Sequence, residues 1–155
     1  MPKRERFKLS LSVFLFVVRG NEILLLKRGN TGWMDGFYSV PAGALDGKET
    51  LIEAIIREAN EEVAITIDAS NLRHIHTMHN LTENEEWIGI FFVTDQWNGT
   101  PKVNEPEKHT EVKWVTVSEL PDNTIPYVRQ AIEAYQKKET YSEYGWDRTH
   151  PPCIS

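Results

Sequence analysis

The stretch from Gly43 to Ile65, GALDGKETLIEAIIREANEEVAI, decides how the rest of the chain is interpreted. Its second half contains a compact charged cluster that consists of Arg57, Glu58, Glu61 and Glu62. Carboxylates three and four residues apart share one surface of a helix, where they destabilise it by about 0.2–0.5 kcal/mol per pair. A divalent cation such as Mg²⁺, Mn²⁺ or Ca²⁺ reverses that effect, because these ions require several hard oxygen ligands. The segment therefore predicts a helix with an ion-binding surface.

The apolar residues of this helix form one arc at about 100° per residue, and the arc should face the core. It consists of Leu51, Ile52, Ile55, Ile56, Ala59 and Val63. Glu58 and Glu62 lie at its edge, whereas Arg57 lies on the wetter side. A purely structural interpretation stays open at this point, since glutamate favours helices and charge runs usually mark a solvated face.

The spacing of the whole segment resembles the Nudix box, the signature of a family of hydrolases. The matching positions are Gly43, Glu49, Arg57, Glu58, Ala59, Glu61, Glu62 and Ile65. Only Ala64 departs from the pattern, because the family has glycine there. An alanine just past the helix end is either strained by about 1 kcal/mol at positive φ or forces another turn. Similar segments outside the box extend the resemblance to most of residues 8–135.

The resemblance implies an α+β Nudix fold, in which a mixed β-sheet is sandwiched between helices in an α/β/α arrangement. It also implies Mg²⁺ as cofactor, with Mn²⁺ as a substitute. The implied metal ligands are the carboxylates of Glu58, Glu61 and Glu62 and the backbone carbonyl of Ala42. Arg57 would orient a glutamate, and Glu49 fits the position that supports the loop or the outer metal shell.

The general base is either a glutamate of the box or one from a distant loop. The loop candidates are Glu105, Glu107 and Glu111. Glu107 is preferred among them, although a role as a solvated loop charge fits the sequence equally well. The predicted substrate contacts are Lys108 and His79 for phosphate and Phe37 for a base.

A histidine group and several large aromatic residues allow further interpretations. His74 and His76 point the same way if their segment is a regular strand, which is a zinc-binding geometry, but ordinary histidines are the favoured reading. The aromatic residues that could stack on a base are Trp33, Phe37, Trp87 and Trp146, and core packing is their more usual role.

The predicted reaction is attack of water on phosphorus in a diphosphate linkage of a nucleoside diphosphate derivative. Phosphoryl transfer requires charge neutralisation and in-line positioning, which metal-bound carboxylates supply. The chain lacks the downstream marks of the ADP-ribose, diadenosine polyphosphate and NADH subfamilies, which leaves a (d)NTP pyrophosphatase of MutT type. The alternative is a Nudix domain that binds or senses a nucleotide without turnover, and the intact set of carboxylates argues against it.

The composition indicates the cellular compartment and the kind of binding partner that we expect. The 155 residues carry a net charge of −6, which disfavours a long nucleic acid and leaves a small nucleotide as the expected partner, with a homodimer also possible. The single cysteine, Cys153, excludes an internal disulfide and agrees with a cytoplasmic location. No membrane association is expected, because the apolar run at 9–18 is shorter than the roughly 20 residues that a span needs.

The remaining patterns predict a mixed sheet and a second helix within one Nudix domain, residues 1–155, with its box at 43–65. The expected strands cover residues 9–18, 22–28, 37–40, 65–67, 72–78, 86–94 and 112–117. The second helix, at about 126–138, is expected to cover the other sheet face before a short tail.

Overall fold

The computed structural model describes residues 3–147, which contain eight β-strands and two α-helices. Cys153 lies outside the described residues. The strands are β1 (Ser10–Arg19), β2 (Glu22–Arg28), β3 (Tyr38–Ser39), β4 (Ala42–Ala44), β5 (Arg73–Thr82), β6 (Glu85–Thr94), β7 (His109–Thr116) and β8 (Tyr141–Tyr144). The helices are α1 (Leu51–Val63) and α2 (Pro126–Gln136), and a single 3₁₀ turn covers Ala69–Asn71.

The sheet is mixed and is built around β1. Its strand order is β3-β2-β1-β6-β5-β8, with β4 also paired to β1 and β7 to β2. The β1–β6 and β5–β8 pairs are parallel, and the other pairs are antiparallel. The middle of β1 is apolar without alternation, which is the pattern of a strand that is covered on both faces.

The two faces of the sheet form two separate cores. Phe14 and Phe16 of β1 pack on the α2 side with Val128 and Ile132. The α1 side contains Val13, Leu15 and Val17 together with Ala54, Ile55, Ala59 and Val63. Successive residues of β1 therefore serve opposite helices, as the period of a strand requires. The predicted arrangement of a sheet between helices is confirmed.

Helix α1 has a well-formed start. The Thr50 hydroxyl accepts a hydrogen bond from the Glu53 amide at 3.0 Å, and the Glu53 carboxylate accepts one from the Thr50 amide at 3.3 Å. This capping box satisfies two amides that the first helical turn leaves without partners.

The end of α1 falls on the alanine that departs from the box. Ala64 has φ 60° and ψ 33°, a left-handed conformation, and its amide donates to the Asn60 carbonyl at 3.1 Å. The left-handed exit is thus retained without glycine, and the alanine methyl group carries the steric cost.

Ala64→Gly is therefore expected to raise the free energy of unfolding by about 1 kcal/mol, because glycine occupies this conformation without that cost. Denaturant unfolding measures the change. The matched control is Ala69→Gly, in an exposed right-handed turn, where glycine should be neutral or destabilising. Equal destabilisation by both changes would contradict the assignment of strain to Ala64.

Several predicted elements differ from the structure. Residues 65–67 form no strand, because only Thr66 finds a partner, in an isolated bridge to Asn98. Ile65 and Ile67 are nevertheless buried, so their alternation reflects packing and not a ladder. Strand β5 continues to Thr82, and α2 ends at Gln136, since Lys138 has φ 59°.

The regular strand that would make His74 and His76 point the same way is not present. The register of β5 against β6 shifts between them, so that His74 pairs with Phe92 and His76 with Phe91. These two phenylalanines belong to opposite cores. The bulge therefore removes the zinc geometry that a regular strand would have given.

Neither of the two described helices is long and apolar enough to cross a membrane.

Candidate active site

Arg57 links the loop before α1 to two glutamates of the helix. Its guanidinium group donates two hydrogen bonds to the Glu49 carboxylate, at 2.8 and 3.2 Å. It also donates to Glu58 at 2.9 Å and to Glu61 at 3.4 Å. These contacts lower the pKa of Glu49 and raise the pKa of Arg57, because each charge stabilises the other.

Glu62 is the buried carboxylate of the site, with 6% of its surface exposed. One oxygen accepts a hydrogen bond from the Ala42 amide at 2.7 Å, and the other lies 3.4 Å from His109 Nε2. Burial raises the pKa of Glu62 to about 8, and repulsion from Glu58 and Glu105 adds to that effect. The hydrogen bond from the Ala42 amide and the charge of Lys108 offset this effect only in part.

His109 is a site residue that the sequence did not reveal. It begins β7, is 4% exposed, and is carried to the site by the antiparallel β2–β7 pair, in which it lies opposite Arg28. Burial, with the nearby charges of Arg28 and Lys108, lowers the pKa of His109 to about 4, so the imidazole is neutral at pH 7. Its Nδ1 atom has no hydrogen-bond partner among residues 3–147.

Glu105 joins these two residues from the loop before β7. One donor atom from each of Glu62, Glu105 and His109 lies within 4.8 Å of the others. The spacing of these three residues in the sequence does not mark a site. The loop is held against the end of α1 by hydrogen bonds between residues that are far apart in the chain, and sequence spacing does not reveal them. One such bond joins the Asn104 amide to the Glu62 carbonyl at 3.1 Å.

Glu58 lies directly against the backbone of Gly43. A methyl group at Gly43 would overlap the Glu58 carboxylate, so the first glycine of the box leaves room for the glutamate side chain. Burial raises the pKa of Glu58, although Arg57 lowers it in part.

Gly43→Ala is expected to displace the Glu58 carboxylate and to lower turnover at saturating metal by about tenfold or more, since small misplacements of positioned groups are costly. The matched control is Ala44→Ser, at the exposed neighbouring position of the same strand. Steady-state kinetics on both variants, with circular dichroism to check folding, measures the effect. Wild-type turnover in a folded Gly43→Ala protein would show that Glu58 does not need this position.

The donor set fits a hard divalent cation. Burial raises the pKa values of Glu58 and Glu62, a bound cation would favour their charged forms, and carboxylate oxygens are the ligands that suit Mg²⁺ or Mn²⁺. Among residues 3–147, a group of side chains with donor atoms close enough to share an ion consists of Glu62, Glu105 and His109. The Glu61 side chain is more open, at 46% exposed.

The other predicted site residues lie at varying distances from this group. Glu107 is exposed and does not belong to it. Lys108 lies 3.5 Å from Glu105, with 57% of its side chain exposed. The Glu111 carboxylate accepts a hydrogen bond from the Tyr38 hydroxyl at 2.8 Å.

His79 and Phe37 make other contacts and do not belong to the group of Glu62, Glu105 and His109. His79 Nε2 lies 2.7 Å from Glu86, and the Trp146 ring lies 4.9 Å from the His79 ring. Phe37 is half-buried and packs against the core on the α2 side. The predicted phosphate contact of His79 stays a prediction.

Four rings on the α2 side form what we call the aromatic cluster: Phe14, Trp87, Tyr127 and Tyr144. The centroid of Tyr127 lies 5.1 Å from that of Trp87, 6.0 Å from that of Phe14 and 6.1 Å from that of Tyr144. Burial raises the pKa of Tyr127 to about 12. Phe14 pairs across the strands with Ala42, whose amide binds Glu62, so the cluster adjoins the carboxylate group.

Trp33 ties the loop between β2 and β3 to the β5–β6 turn. Its indole donates to the Glu83 carboxylate at 3.0 Å, and the Arg28 guanidinium lies 4.9 Å from its ring centroid. Trp33 therefore lies in an exposed loop outside the aromatic cluster, whereas Trp87 belongs to the cluster.

Comparison with known proteins places this site in a family. The sequence profile of the NUDIX domain matches residues 8–136. The chain belongs to the NUDIX family. The solved structure of the MutT NUDIX hydrolase from Burkholderia pseudomallei is similar to this chain, with a TM-score of 0.75 and 25% identity. The comparison covers 82% of this chain and 98% of that one. The MutT protein from Methanosarcina mazei Go1 has a TM-score of 0.73 and 22% identity over 84% of this chain and 94% of that one.

Two curated relatives have more specific names. The NAD-capped RNA hydrolase NudC of Pseudomonas putida (strain KT2440) is 27% identical over 114 residues, which are 74% of this chain and 39% of that protein. The ADP-ribose pyrophosphatase of Methanocaldococcus jannaschii is 28% identical over 95 residues, which are 61% of this chain and 56% of that protein. This NUDIX chain spans about half the length of these relatives or less. Their names agree with the predicted Nudix-type hydrolase.

Proposed function

We propose that this NUDIX protein is a metal-dependent hydrolase that cleaves a diphosphate linkage in a nucleoside diphosphate derivative. The observation that carries the proposal is the buried Glu62 carboxylate beside Glu58, Glu105 and His109. Burial raises the pKa of Glu62 to about 8, and a strongly perturbed carboxyl group within a cluster of other titratable side chains is typical of a functional site.

The residues of this chain divide into positioning and reacting groups. Arg57 positions Glu58 and Glu61, and the Ala42 amide positions Glu62. Glu58, Glu61 and Glu62, with the Ala42 carbonyl, remain the proposed metal ligands. A bound Mg²⁺ or Mn²⁺ would supply charge neutralisation and a more acidic water.

Two loop glutamates are proposed as candidates for the general base. Glu107 is the residue that the sequence favours. Glu105 has the support of geometry, since it lies with Glu62 and His109. Comparing Glu105→Gln with Glu107→Gln decides between them, because the loss of a general base typically costs about 10²–10⁴-fold in rate.

The aromatic cluster is the proposed site for the base of the nucleotide. Trp87 and Tyr144 of the cluster are only partly buried, and an aromatic ring can pack against a planar base by offset or edge contact. Because Phe14 neighbours Ala42 in the sheet, a nucleoside here would direct its phosphates toward Glu62. Phe37, His79 and Lys108 remain proposed contacts at the borders of this path.

We propose a (d)NTP of the MutT type as the substrate. The test is Mg²⁺-dependent release of phosphate or pyrophosphate from a panel of nucleoside triphosphates, oxidised nucleotides, ADP-ribose, nucleotide sugars and dinucleotides. Preferred turnover of triphosphates supports the proposal, and preferred turnover of ADP-ribose would replace the substrate class. Nucleotide binding without any turnover would support the sensing alternative. The cytoplasmic location and the homodimer stay predictions.

A second candidate substrate is an RNA with a nucleotide cap. Residues 3–8 contain four cations, one anion and Phe7, which is 75% exposed, and none of these side chains has an ion-pair partner within residues 3–147. Basic and aromatic side chains together are typical of single-stranded nucleic acid contacts. The segment enters β1 where Ser10 pairs with Trp87 of the aromatic cluster. Adding NAD-capped RNA and free NAD to the panel tests this, since faster turnover of the capped RNA is expected only if this segment binds the strand.

A further inference from the structure

A cavity lies between the start of β5 and the end of α2. Its volume is about 600 Å³, within the usual range of ligand pockets. Its lining includes Arg73, His74, Tyr135, Lys138, Glu139 and Thr140. None of the lining residues belongs to the Nudix box, to the group around Glu62 or to the aromatic cluster.

Hydrogen bonds to β5 fix the walls of this cavity. His76 Nδ1 donates to the Glu139 carbonyl at 2.8 Å, and the Thr77 amide donates to the Thr140 carbonyl at 2.9 Å. Because a carbonyl oxygen only accepts, His76 carries its proton on Nδ1, and its Nε2 accepts from the Ser142 hydroxyl at 2.7 Å. The cavity is therefore formed before any ligand arrives.

The β-bulge between His74 and His76 belongs to the same wall. Such bulges often occur next to binding sites, because they redirect a side chain. Here the bulge allows His74 to line the cavity while His76 holds the 139–140 segment. A regular strand would have placed both rings on one face.

The polar lining favours an anion. Arg73 and Lys138 have no ion-pair or side-chain hydrogen-bond partner among residues 3–147, whereas Arg57 of the active site has four acidic neighbours. Glu139 supplies one opposing charge. The whole chain has a net charge of −6 and therefore attracts cations at long range. The two unpaired cations give this cavity the opposite, local preference for an anion.

The apolar lining favours a planar group beside that anion. Tyr135 is half-buried, and its ring is held at 5.7 Å from Phe16 by an edge contact. Ile75 lies on the same wall. A tyrosine fixed in this way offers a rigid surface for a planar ring at little cost in side-chain entropy.

We infer that this cavity binds a phosphate monoester that carries a planar base, such as a nucleoside monophosphate, at a site separate from the hydrolytic one. Arg73 and Lys138 bind the phosphate, Tyr135 packs against the base, and Thr140 supplies a hydroxyl. Binding here requires no metal, so it is measurable when the proposed hydrolase is inactive.

Equilibrium dialysis of the whole chain with AMP in EDTA tests this inference. We expect binding of one AMP, with adenosine, ribose 5-phosphate and inorganic phosphate each at least about tenfold weaker, because each lacks one half of the recognised group. The double variant Arg73→Ala/Lys138→Asn should weaken AMP binding by about tenfold or more. Asparagine is chosen because it tolerates the left-handed conformation of Lys138.

Two controls separate this site from the active site. Lys48→Asn/Lys102→Ala removes two exposed lysines elsewhere, one of them also at positive φ, and should leave AMP binding unchanged. Glu61→Gln should also leave it unchanged, while changing turnover in Mg²⁺. No AMP binding by the wild type, or equal binding by the folded Arg73→Ala/Lys138→Asn protein, would overturn the inference without affecting the proposed hydrolase.

Discussion

Glu62→Gln is expected to lower Mg²⁺-dependent turnover by about 10²–10⁴-fold, which is the usual cost of removing a charged group that acts on the reacting centre. Glutamine keeps the shape of the side chain and can still accept the hydrogen bond from the Ala42 amide. The change therefore removes charge without removing packing. Metal affinity should fall with activity, because a neutral amide is a weaker ligand for a hard cation.

The measurement is a metal titration of turnover for wild type and Glu62→Gln on the best substrate of the panel. Glu133→Gln, at an exposed position of α2, is the matched control and should retain wild-type turnover. Turnover by Glu62→Gln near the wild-type rate would exclude the buried carboxylate from catalysis and would leave the proposed function without its main support.

In the presence of chelator, Glu62→Gln is expected to favour the folded protein at alkaline pH, although it lowers turnover in Mg²⁺. The pKa of Glu62 is raised to about 8 from an ordinary value of 4.5, so the folded protein holds a proton that the unfolded chain loses in that interval. The resulting stability is complete below pH 4.5 and is lost as the pH rises through 8. Glu58 acts with the same sign, because burial raises its pKa as well.

His109 has the opposite sign in a lower interval. Its pKa is lowered to about 4 from 6.5, so the unfolded chain binds a proton that the folded protein does not bind. Its contribution is present above pH 6.5 and is lost as the pH falls through 4. Between pH 6.5 and 8, the pH dependence of the unfolding free energy therefore reflects Glu62 far more than His109.

Over that interval the wild type in EDTA is expected to lose about 1–2 kcal/mol of unfolding free energy, and Glu62→Gln is expected to lose less. Urea unfolding at pH 6.5 and 8 measures both, and Glu133→Gln should follow the wild type. Saturating Mg²⁺ should raise the stability of the wild type at pH 8, because a ligand that binds only the folded state stabilises it. Parallel losses in wild type and Glu62→Gln would show that Glu62 is already ionised in the metal-free protein.

Helix α1 shows how far sequence reasoning reaches. The spacing of its glutamates, its apolar arc and its start after Thr50 are local features, and the structure confirms the predicted helix and the burial of Ile55, Ala59 and Val63. The sequence left two outcomes open at Ala64, a strained left-handed exit or another turn, and the structure has the left-handed exit. Local spacing is enough where neighbours along the chain supply the contacts.

Residues 65–67 show where such reasoning fails. Alternation predicted a strand, but a strand exists only if another strand pairs with it, and here only an isolated bridge to Asn98 forms. The bulge in β5 is a similar case, since the register of β5 against β6 is a property of the pair. Neither feature could be read from one segment alone.

The amino-acid sequence by itself determined the family box, the helix that carries Arg57, Glu58, Glu61 and Glu62, and the sheet between two helices, because these follow from periodicity and short-range spacing. Only the tertiary structure decided which distant residues join them. The β2–β7 pair and the loop before β7 bring His109 and Glu105 to Glu62, and sheet pairing brings the aromatic cluster beside Ala42. Contacts between residues far apart in the chain depend on strand register and burial, which are collective properties of the folded molecule.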